Sequence, residues 1–248
     1  MTTPFQVVRE AIGSELLVGL ATVVSGENTG DKLALFPDGR TEGELVSPAL
    51  TERVLKQAKP LLAAHKIATF EVEVDADADA GEETVEVFFE AFPPPAKLIV
   101  VGAVHVAIPL VEIANTLGFH TIVLDARSVY ATKERFPHPD ELIIRWPAEA
   151  LREMRLHEST YCVFLTHDPK LDNPGLEVAL RSDARYVGAL GSKRTHAKRV
   201  ASLLEMGLSD EEISRIRAPI GIKLGGNRPE EIAVSIVAEI VAVRHGRS

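Results

Sequence analysis

The sequence predicts an α/β protein in two parts: a doubly wound parallel sheet with helices on both faces, preceded by a smaller α+β domain. Three observations indicate this fold class. After residue 96, short apolar runs alternate with segments of helical spacing, as in parallel strands that helices cover on both faces. Before residue 92, several segments alternate apolar and polar residues, as half-buried strands do. Between the two patterns stand Pro93, Pro94 and Pro95, which supply no backbone donors to a sheet.

The N-terminal domain is predicted to combine strands with a helix. Residues 16–24 and 32–36 are strand-like, and a Pro-Asp-Gly turn follows the second of them. Ser47 is followed by a proline and then by apolar residues at helical spacing, so a helix is expected to begin there. Residues 69–74 and 84–89 alternate as two further strands.

The C-terminal domain is predicted to be Rossmann-like, because strands and helices alternate along it. Residues 176–180 and 200–204 have helical spacing. A final helix is expected after Pro229, where isoleucines recur every four residues. The predicted strands occupy residues 97–101, 120–124, 141–144, 160–165 and 185–189. The predicted division of the chain is 1–91 for the α+β domain, 92–96 for a proline-rich linker and 97–248 for the Rossmann-like domain.

The composition restricts the partners and the compartment. The 248-residue chain has a formal net charge of -9, whereas nucleic-acid binding depends on clustered Lys and Arg, so we expect no nucleic-acid partner. No apolar stretch reaches the length of about 20 residues that spans a bilayer, and no signal-peptide pattern opens the chain. The single cysteine, Cys162, excludes an internal disulfide and fits a reducing compartment. We therefore expect a soluble cytoplasmic protein without membrane association.

The first strand of the C-terminal domain leads into a glycine turn, LIVVGAVHVA at residues 98–107. In a dinucleotide fold the second glycine of this turn admits the pyrophosphate, but Val104 stands in that place here. Gly102 and Ala107 keep the first and third positions. Pro109 is compatible with a helix that starts near residue 106, so the helix N-terminus is expected to remain available to an anion.

An acidic residue follows the second strand. Asp125 lies 23 positions after Gly102, close to the spacing of about 20 at which a carboxylate receives ribose hydroxyls in dinucleotide folds. Arg127, two residues further on, is a candidate for contact with a phosphate. These two residues leave true dinucleotide binding open as an alternative.

Two later strands end in polar residues. Thr166, His167 and Asp168 follow one strand, and Gly191 and Ser192 follow the next. Since ligands of open parallel sheets bind beyond the carboxyl ends of the strands, we expect both groups to face one crevice. Gly191 permits close approach of the backbone, and Ser192 is a candidate helix cap that also donates to a ligand oxygen.

Three other features have competing interpretations. His105, His167, Asp168 and Asp172 are a possible metal set, although sequence separation does not show that they converge. Cys162 lies in the middle of a strand and is expected to be a buried, unreactive thiol. The basic run at residues 193–199 is interpreted as a solvated helix face, with a patch for a small anion or an acidic partner as the alternative.

These motifs together resemble the XdhC/CoxI family, the xanthine dehydrogenase accessory or maturation proteins. The resemblance covers residues 98–240. It depends on several short segments rather than on any single one. They are GAVHVA at 102–107, Asp-Ala-Arg at 125–127, Arg-Phe-Pro at 135–137, Thr-His-Asp at 166–168 with Asp172, GALGSKR at 188–194, and Pro-Ile-Gly at 219–221 followed by PEEIAVSI at 229–236.

The resemblance implies an N-terminal XdhC/CoxI domain and a C-terminal Rossmann-like domain. It also implies a homodimer that binds molybdenum cofactor (molybdopterin), protects it during sulfuration and delivers it to the apoenzyme of a molybdenum hydroxylase, with a cysteine desulfurase as a further partner. The chain departs from the family pattern at Val104, where the family has glycine. It also lacks the family's N-terminal cysteines in the corresponding segments, 42–46 and 83–87, which rules out thiolate contact to molybdenum from that domain.

The leading hypothesis is thus a non-catalytic maturation chaperone, with no catalytic residues and no metal ligands of its own. The alternatives are an NAD(P)-dependent oxidoreductase that uses the same crevice, and a regulatory or scaffold paralogue with a vestigial pocket. The predicted cofactor-binding residues are Gly102, Ala103, His105, Asp125, Arg127, Thr166, His167, Asp168, Gly191 and Ser192.

Overall fold

The computed structural model describes residues 3–26, 28–74 and 83–247. It confirms the predicted fold class, with one antiparallel and one parallel sheet. The chain divides into two compact units, Met1–Pro94 and Pro95–Ser248.

The first unit is a five-stranded antiparallel sheet with one helix on each face. Its strand order is β3-β2-β1-β5-β4. The elements are α1 (Pro4–Gly13), β1 (Val18–Val23), β2 (Lys32–Leu35), β3 (Thr41–Glu44), α2 (Pro48–Ala63), β4 (Ile67–Val74) and β5 (Glu83–Phe92).

Local signals explain where the helices of this unit begin. The Ser47 hydroxyl accepts a hydrogen bond from the Leu50 N–H, and Pro48 occupies the first turn of α2, as the sequence predicts. The α1 helix is absent from the sequence prediction, although Thr3 and Gln6 form a capping box at its start. Both helices bury an apolar stripe against the sheet.

The second unit is a six-stranded sheet with helices on both faces. All five strand pairs are parallel. The elements are β6 (Lys97–Val101), α3 (Ala107–Thr116), β7 (His120–Leu124), β8 (Glu141–Ile143), α4 (Pro147–Glu153), β9 (Thr160–Phe164), α5 (Pro169–Leu180), β10 (Tyr186–Ala189), α6 (Lys193–Glu205), α7 (Asp210–Ser214), β11 (Ile216–Arg217) and α8 (Pro229–Arg244).

The strand order of this sheet fixes the position of its crevice. The order is β11-β10-β9-β6-β7-β8. The strands β7 and β8 are added on one side of β6 and the strands β9, β10 and β11 on its other side, so the strand order reverses between β6 and β9. This is the order of dinucleotide-binding folds, in which ligands bind at the carboxyl ends of the two strands that flank the reversal. Leu98 and Val100 pack with α3 and α8 on one face, while Ile99 and Val101 pack with α4 and α5 on the other. Burial on both faces explains why β6 is a continuous apolar run.

In the described ranges, no helix combines the length and the apolar character needed to cross a membrane.

Candidate functional site

The loops that follow β6 and β9 meet at the carboxyl edge of the parallel sheet. Gly102 follows β6 with φ of +115°, in the region that favours glycine. A Cβ atom at Gly102 would lie 2.9 Å from Thr166 Cγ2 and 3.1 Å from the Thr166 nitrogen. The two loops are therefore in direct contact, and only glycine allows this approach. The loop after β10 lies at the same edge, since β10 is parallel to β9 and the Leu190 N–H donates to the Phe164 carbonyl at 2.8 Å.

The Asp125 carboxylate fixes the glycine turn from the end of β7. Its Oδ2 accepts hydrogen bonds from the Ala103 N–H and from Arg127 Nη2, both at 2.8 Å. Its Oδ1 accepts from the backbone N–H and from Nε of Arg127, both at 2.9 Å. Asp125 is 0% exposed, and a carboxylate offers about four acceptor positions, so these four donors fill it. The expectation that Asp125 contacts a ligand therefore does not fit the structure: its role is to position the turn and Arg127.

The same contacts determine the ionisation of Asp125. Burial alone would raise its pKa, but the hydrogen bonds from Arg127 and Ala103 favour the charged form more strongly. The pKa of Asp125 therefore lies below its ordinary value, and the carboxylate is charged at neutral pH. Arg127 is held in place by this pair while its side chain remains 34% exposed.

A cleft of about 480 Å³ opens beside the glycine turn. Arg135 Nη1 connects the glycine turn to the segment around Tyr130 by donating to the carbonyls of Tyr130 at 2.8 Å and Ala103 at 3.2 Å. The guanidinium carbon of Arg127 lies 4.6 Å from the centre of the Tyr130 ring, within cation–π distance. The cleft thus combines two guanidinium groups with an aromatic surface. Its lining residues are Ala103, Val104, His105, Arg127, Val129, Tyr130 and Arg135.

The start of α3 borders this cleft. The helix begins at Ala107, and none of the side chains that the structure describes caps it. Pro109 lies in its first turn, where a backbone N–H needs no partner within the helix, as the sequence predicts. His105 is exposed just before the helix, and Val104 is half-buried against the apolar core. His105 lines the cleft together with Arg127 and Arg135, two residues before α3 begins.

Of the three predicted residues after β9, two are engaged in local hydrogen bonds. Thr166 Oγ1 donates to Asp172 Oδ1 at 2.6 Å and accepts from the Asp168 N–H at 3.0 Å. Asp168 caps α5 by accepting from the Lys170 N–H at 2.9 Å. His167 is exposed and has a φ of +60°. The side chain of His167 is therefore the one most accessible to a ligand.

Gly191 and Ser192 form the turn from β10 into α6. Ser192 caps α6 by accepting from the Thr195 N–H at 3.1 Å, as predicted for a helix cap. A Cβ atom at Gly191 would lie 3.1 Å from the Thr195 side chain, and its φ is +144°. Both residues lie at the same edge as Thr166, but their local contacts explain them as a turn and a cap.

A second, smaller cavity of about 180 Å³ lies between α5 and α6. Two of its lining residues are buried and charged: Asp172 is 1% exposed and Arg199 is 5% exposed. Its lining residues are His167, Pro169, Asp172, Asn173, Thr195, Lys198, Arg199 and Ser202.

Sequence reasoning missed two features of these cavities. The interpretation of residues 193–199 as a solvated face is wrong at Arg199, which packs on the buried side of α6 with Leu203. The four-residue spacing of these two residues was the available signal. Arg135 belongs to one of the motifs behind the family resemblance but is not among the predicted site residues, and its contact with Ala103 across the turn depends on tertiary structure.

The metal alternative finds no support in the described part of the chain, which contains no group of three or more His, Cys, Asp or Glu side chains suited to a metal ion. His105, His167, Asp168 and Asp172 do not form such a group. Cys162 is buried in β9, and burial raises the pKa of its thiol to about 12. The prediction that this thiol is buried is confirmed.

Asp172 is expected to reduce stability as the pH rises. Burial raises its pKa above the ordinary value, despite the hydrogen bond from Thr166 and the charge of Arg199. The folded state therefore favours the protonated form of Asp172. Its ionisation costs folding free energy, and this cost is absent below about pH 3.8 and grows as the pH rises towards the folded-state pKa. In urea titrations from pH 3 to pH 7, the stability of the wild type relative to Asp172→Asn should fall with rising pH. A constant or rising difference would contradict the raised pKa.

Comparison with known proteins places these features in context. Residues 98–240 match the XdhC Rossmann domain family. The chain is 34% identical over 163 residues to a protein of Bacillus subtilis strain 168 that is named as a probable subunit of xanthine dehydrogenase. It is 30% identical over 157 residues to the molybdenum cofactor insertion chaperone PaoD of Escherichia coli K12. These matches cover 66% and 63% of this chain, but only 47% and 43% of the relatives.

A solved structure extends the similarity to almost the whole chain. A crystal structure described as a xanthine dehydrogenase from Bacillus halodurans superimposes with a TM-score of 0.69 at 26% identity. The match covers 98% of this chain and 66% of the other. The chain thus spans less than half of the two curated relatives and about two thirds of the solved one.

Proposed function

Because the chain belongs to the family of the XdhC Rossmann domain, we propose that it is a maturation factor that binds molybdenum cofactor and inserts it into a xanthine dehydrogenase-type molybdenum hydroxylase. The names of its relatives support this role, since one is a molybdenum cofactor insertion chaperone and the other is a probable part of a xanthine dehydrogenase. The client apoenzyme, a cysteine desulfurase and a second copy of this chain are its proposed partners.

The observation that carries the proposal is the cleft beside Gly102. The cofactor is a pterin with a single phosphate, and guanidinium groups bind phosphate through paired hydrogen bonds. Arg127 and Arg135 line the cleft, with His105 and the start of α3 beside them. Val104 restricts the turn where a dinucleotide would place its pyrophosphate, but one phosphate needs less room.

The residues present fit the organic part of the cofactor rather than its metal. The one cysteine of the chain is buried in β9 as a thiol, so this chain supplies no thiolate to molybdenum. When bound, the cofactor carries the molybdenum centre that the client enzyme uses. The chain's own groups bind and orient it: His105 and the backbone of Gly102 and Ala103 next to the phosphate, and His167 next to the remainder. Thr166, Asp168, Gly191 and Ser192 shape this second part of the crevice.

Delivery to a client enzyme tests the proposal. The protein is loaded with isolated cofactor under anaerobic conditions, separated from free cofactor and mixed with a cofactor-free molybdenum hydroxylase. We expect hydroxylase activity to appear, in higher yield than from free cofactor handled in the same way. Arg135→Met should lower the yield about tenfold, because a hydrogen bond to a charged group contributes about 1.5–3 kcal/mol.

Arg152→Met is the matched control, since Arg152 is exposed on α4 and does not line the cleft. It should transfer cofactor like the wild type. Failure of the wild type to activate the hydroxylase beyond free cofactor would contradict the proposal.

NAD(P)-dependent oxidoreduction is the competing function, because the strand order is that of a dinucleotide fold. Two observations argue against it: Val104 occupies the glycine position of the turn, and the Asp125 carboxylate is already filled by Ala103 and Arg127. Calorimetric titration with NAD and NADP should therefore give no saturable heat. Tight binding of either nucleotide would favour the oxidoreductase.

A further inference from the structure

The cavity between α5 and α6 contains two ionisable side chains, Asp172 and Arg199, that are buried without complete pairing. Asp172 Oδ2 and Arg199 Nη2 are 3.9 Å apart, which is beyond hydrogen-bond distance. Among the described residues, neither Asp172 Oδ2 nor Arg199 Nη1 has a hydrogen-bond partner. Leaving such a buried group unpaired costs about 1–3 kcal/mol, and more when it is charged. The two atoms are therefore expected to meet a ligand that pairs with both.

Neighbouring contacts hold both side chains in place. Thr166 Oγ1 donates to the other carboxylate oxygen of Asp172 at 2.6 Å, and Arg199 Nη2 donates to the Leu190 carbonyl at 3.0 Å. Each side chain is thus anchored through one end, while its other end has no hydrogen-bond partner in the part of the chain that the structure describes.

The polarity of the two groups restricts the ligand. Asp172 requires a donor and Arg199 requires an acceptor, so a simple anion would satisfy only Arg199 and a simple cation only Asp172. A single water can also pair with both atoms, but it occupies only about 30 Å³ of the 180 Å³ cavity, whereas a planar ring with adjacent N–H and C=O groups satisfies both atoms and fills more of the space. We infer that Asp172 and Arg199 recognise the 2-amino-4-oxo edge of a fused pyrimidinone ring, which pterins share with guanine. The ring and amino N–H groups donate to the carboxylate, and the ring carbonyl accepts from the guanidinium.

The size and rim of the cavity agree with a ring rather than a larger ligand. Its volume is about 180 Å³, whereas a water occupies about 30 Å³ and sites for drug-sized ligands begin near 300 Å³. His167 and Lys198 are exposed at its lining, where they are placed to meet a negatively charged substituent on the ring. The inference rests on the proposed function for its choice of pterin as the physiological source of this edge.

Direct binding of a fluorescent pterin to the full chain tests the inference. Pterin-6-carboxylate is titrated with protein, and guanosine and adenosine are added as competitors. We expect saturable binding, competition by guanosine and none by adenosine, whose edge presents an amino group and a ring nitrogen in place of the carbonyl and N–H. The relative affinities for pterin and guanosine identify the source of the ring.

Two variants and one control link binding to the cavity. Asp172→Asn and Arg199→Met should each weaken pterin binding at least about tenfold, because each removes a hydrogen bond to a charged group. Arg194→Met makes the same change at an exposed position of α6 and should leave binding unchanged. Circular dichroism verifies that the variants fold. Asp172→Asn keeps an acceptor for Thr166, so it decides the question if Arg199→Met does not fold.

The outcomes separate this inference from the proposed function. Absence of pterin binding by the wild type, equal competition by adenosine, or undiminished binding by Asp172→Asn would overturn the inference. If the wild type delivers cofactor and Asp172→Asn binds pterin normally, only the inference fails. If pterin binding depends on Asp172 but the wild type delivers no cofactor, only the proposed function fails.

Discussion

Replacing Gly102 by alanine is expected to lower the free energy of unfolding by about 3 kcal/mol, through backbone strain and overpacking together. The φ of +115° is unfavourable for any residue with a Cβ. In addition, the new Cβ would lie 2.9 Å from Thr166 Cγ2 and 3.3 Å from the Leu165 carbonyl carbon, so the loops after β6 and β9 would have to separate. Urea unfolding followed by circular dichroism measures the loss.

Gly118→Ala is the matched control for this effect. Gly118 also has a positive φ, +76°, but no atom of residues 3–26, 28–74 and 83–247 outside its immediate neighbours lies within 4 Å of the position of an added Cβ. Its substitution therefore introduces backbone strain without a clash and should cost about 1 kcal/mol. Equal losses for Gly102→Ala and Gly118→Ala would contradict the direct contact between the two loops.

Replacing Asp125 by alanine is expected to destabilise the protein by about 1–3 kcal/mol, the cost of leaving a buried hydrogen-bonding group without its partner, because the remaining Arg127 side chain is 34% exposed and can be solvated. The change leaves the Ala103 N–H and the guanidinium of Arg127 without their acceptor. It should also release Arg127 from its position beside the cleft and so weaken retention of the cofactor.

The loss at Asp125 should depend on pH in a defined direction. Because the folded-state pKa is lowered, the stabilisation is fully present above the unfolded value, near pH 3.8, and is lost as the pH falls through the folded-state pKa. The stability of the wild type relative to Asp125→Ala should therefore increase as the pH rises from strong acid, whereas its stability relative to Asp172→Asn should decrease. Glu153→Ala, which breaks the exposed pair with Arg145, should have little effect at any pH. A loss at Asp125 that does not vary with pH would contradict its role as a buried, charged acceptor.

The sequence predicts the fold of this protein well because each of its longer strands either alternates apolar and polar residues or is wholly apolar. The predicted bounds of β6 and β7 are correct to the residue, since strands buried on both faces form continuous apolar runs between turn residues. β11 was missed because its two residues, Ile216 and Arg217, carry no recognisable pattern and pair only through tertiary structure. β3 was missed for a related reason, since none of its residues is buried.

The candidate site was predictable in its location but not in the roles of its residues. The glycine after β6 and the polar residues after β9 identify the carboxyl edge, because ligands of parallel sheets bind there. The spacing of Asp125 indicated a ligand contact, whereas four internal hydrogen bonds occupy that carboxylate. Arg199 was interpreted as part of a solvated basic run. Its burial depends on the packing of α5 against α6, which the local sequence does not reveal. Hydrogen-bond partners distant in sequence decide such roles.

The pterin content of the purified protein tests the central claim most directly. The full chain is purified anaerobically from a host that makes molybdopterin, and the pterin released on denaturation is quantified by fluorescence. A cofactor-binding chaperone should contain near-stoichiometric pterin as the wild type and as Arg152→Met, and about tenfold less as Arg135→Met. A wild-type protein that contains no pterin and takes up none when isolated cofactor is added would contradict that role.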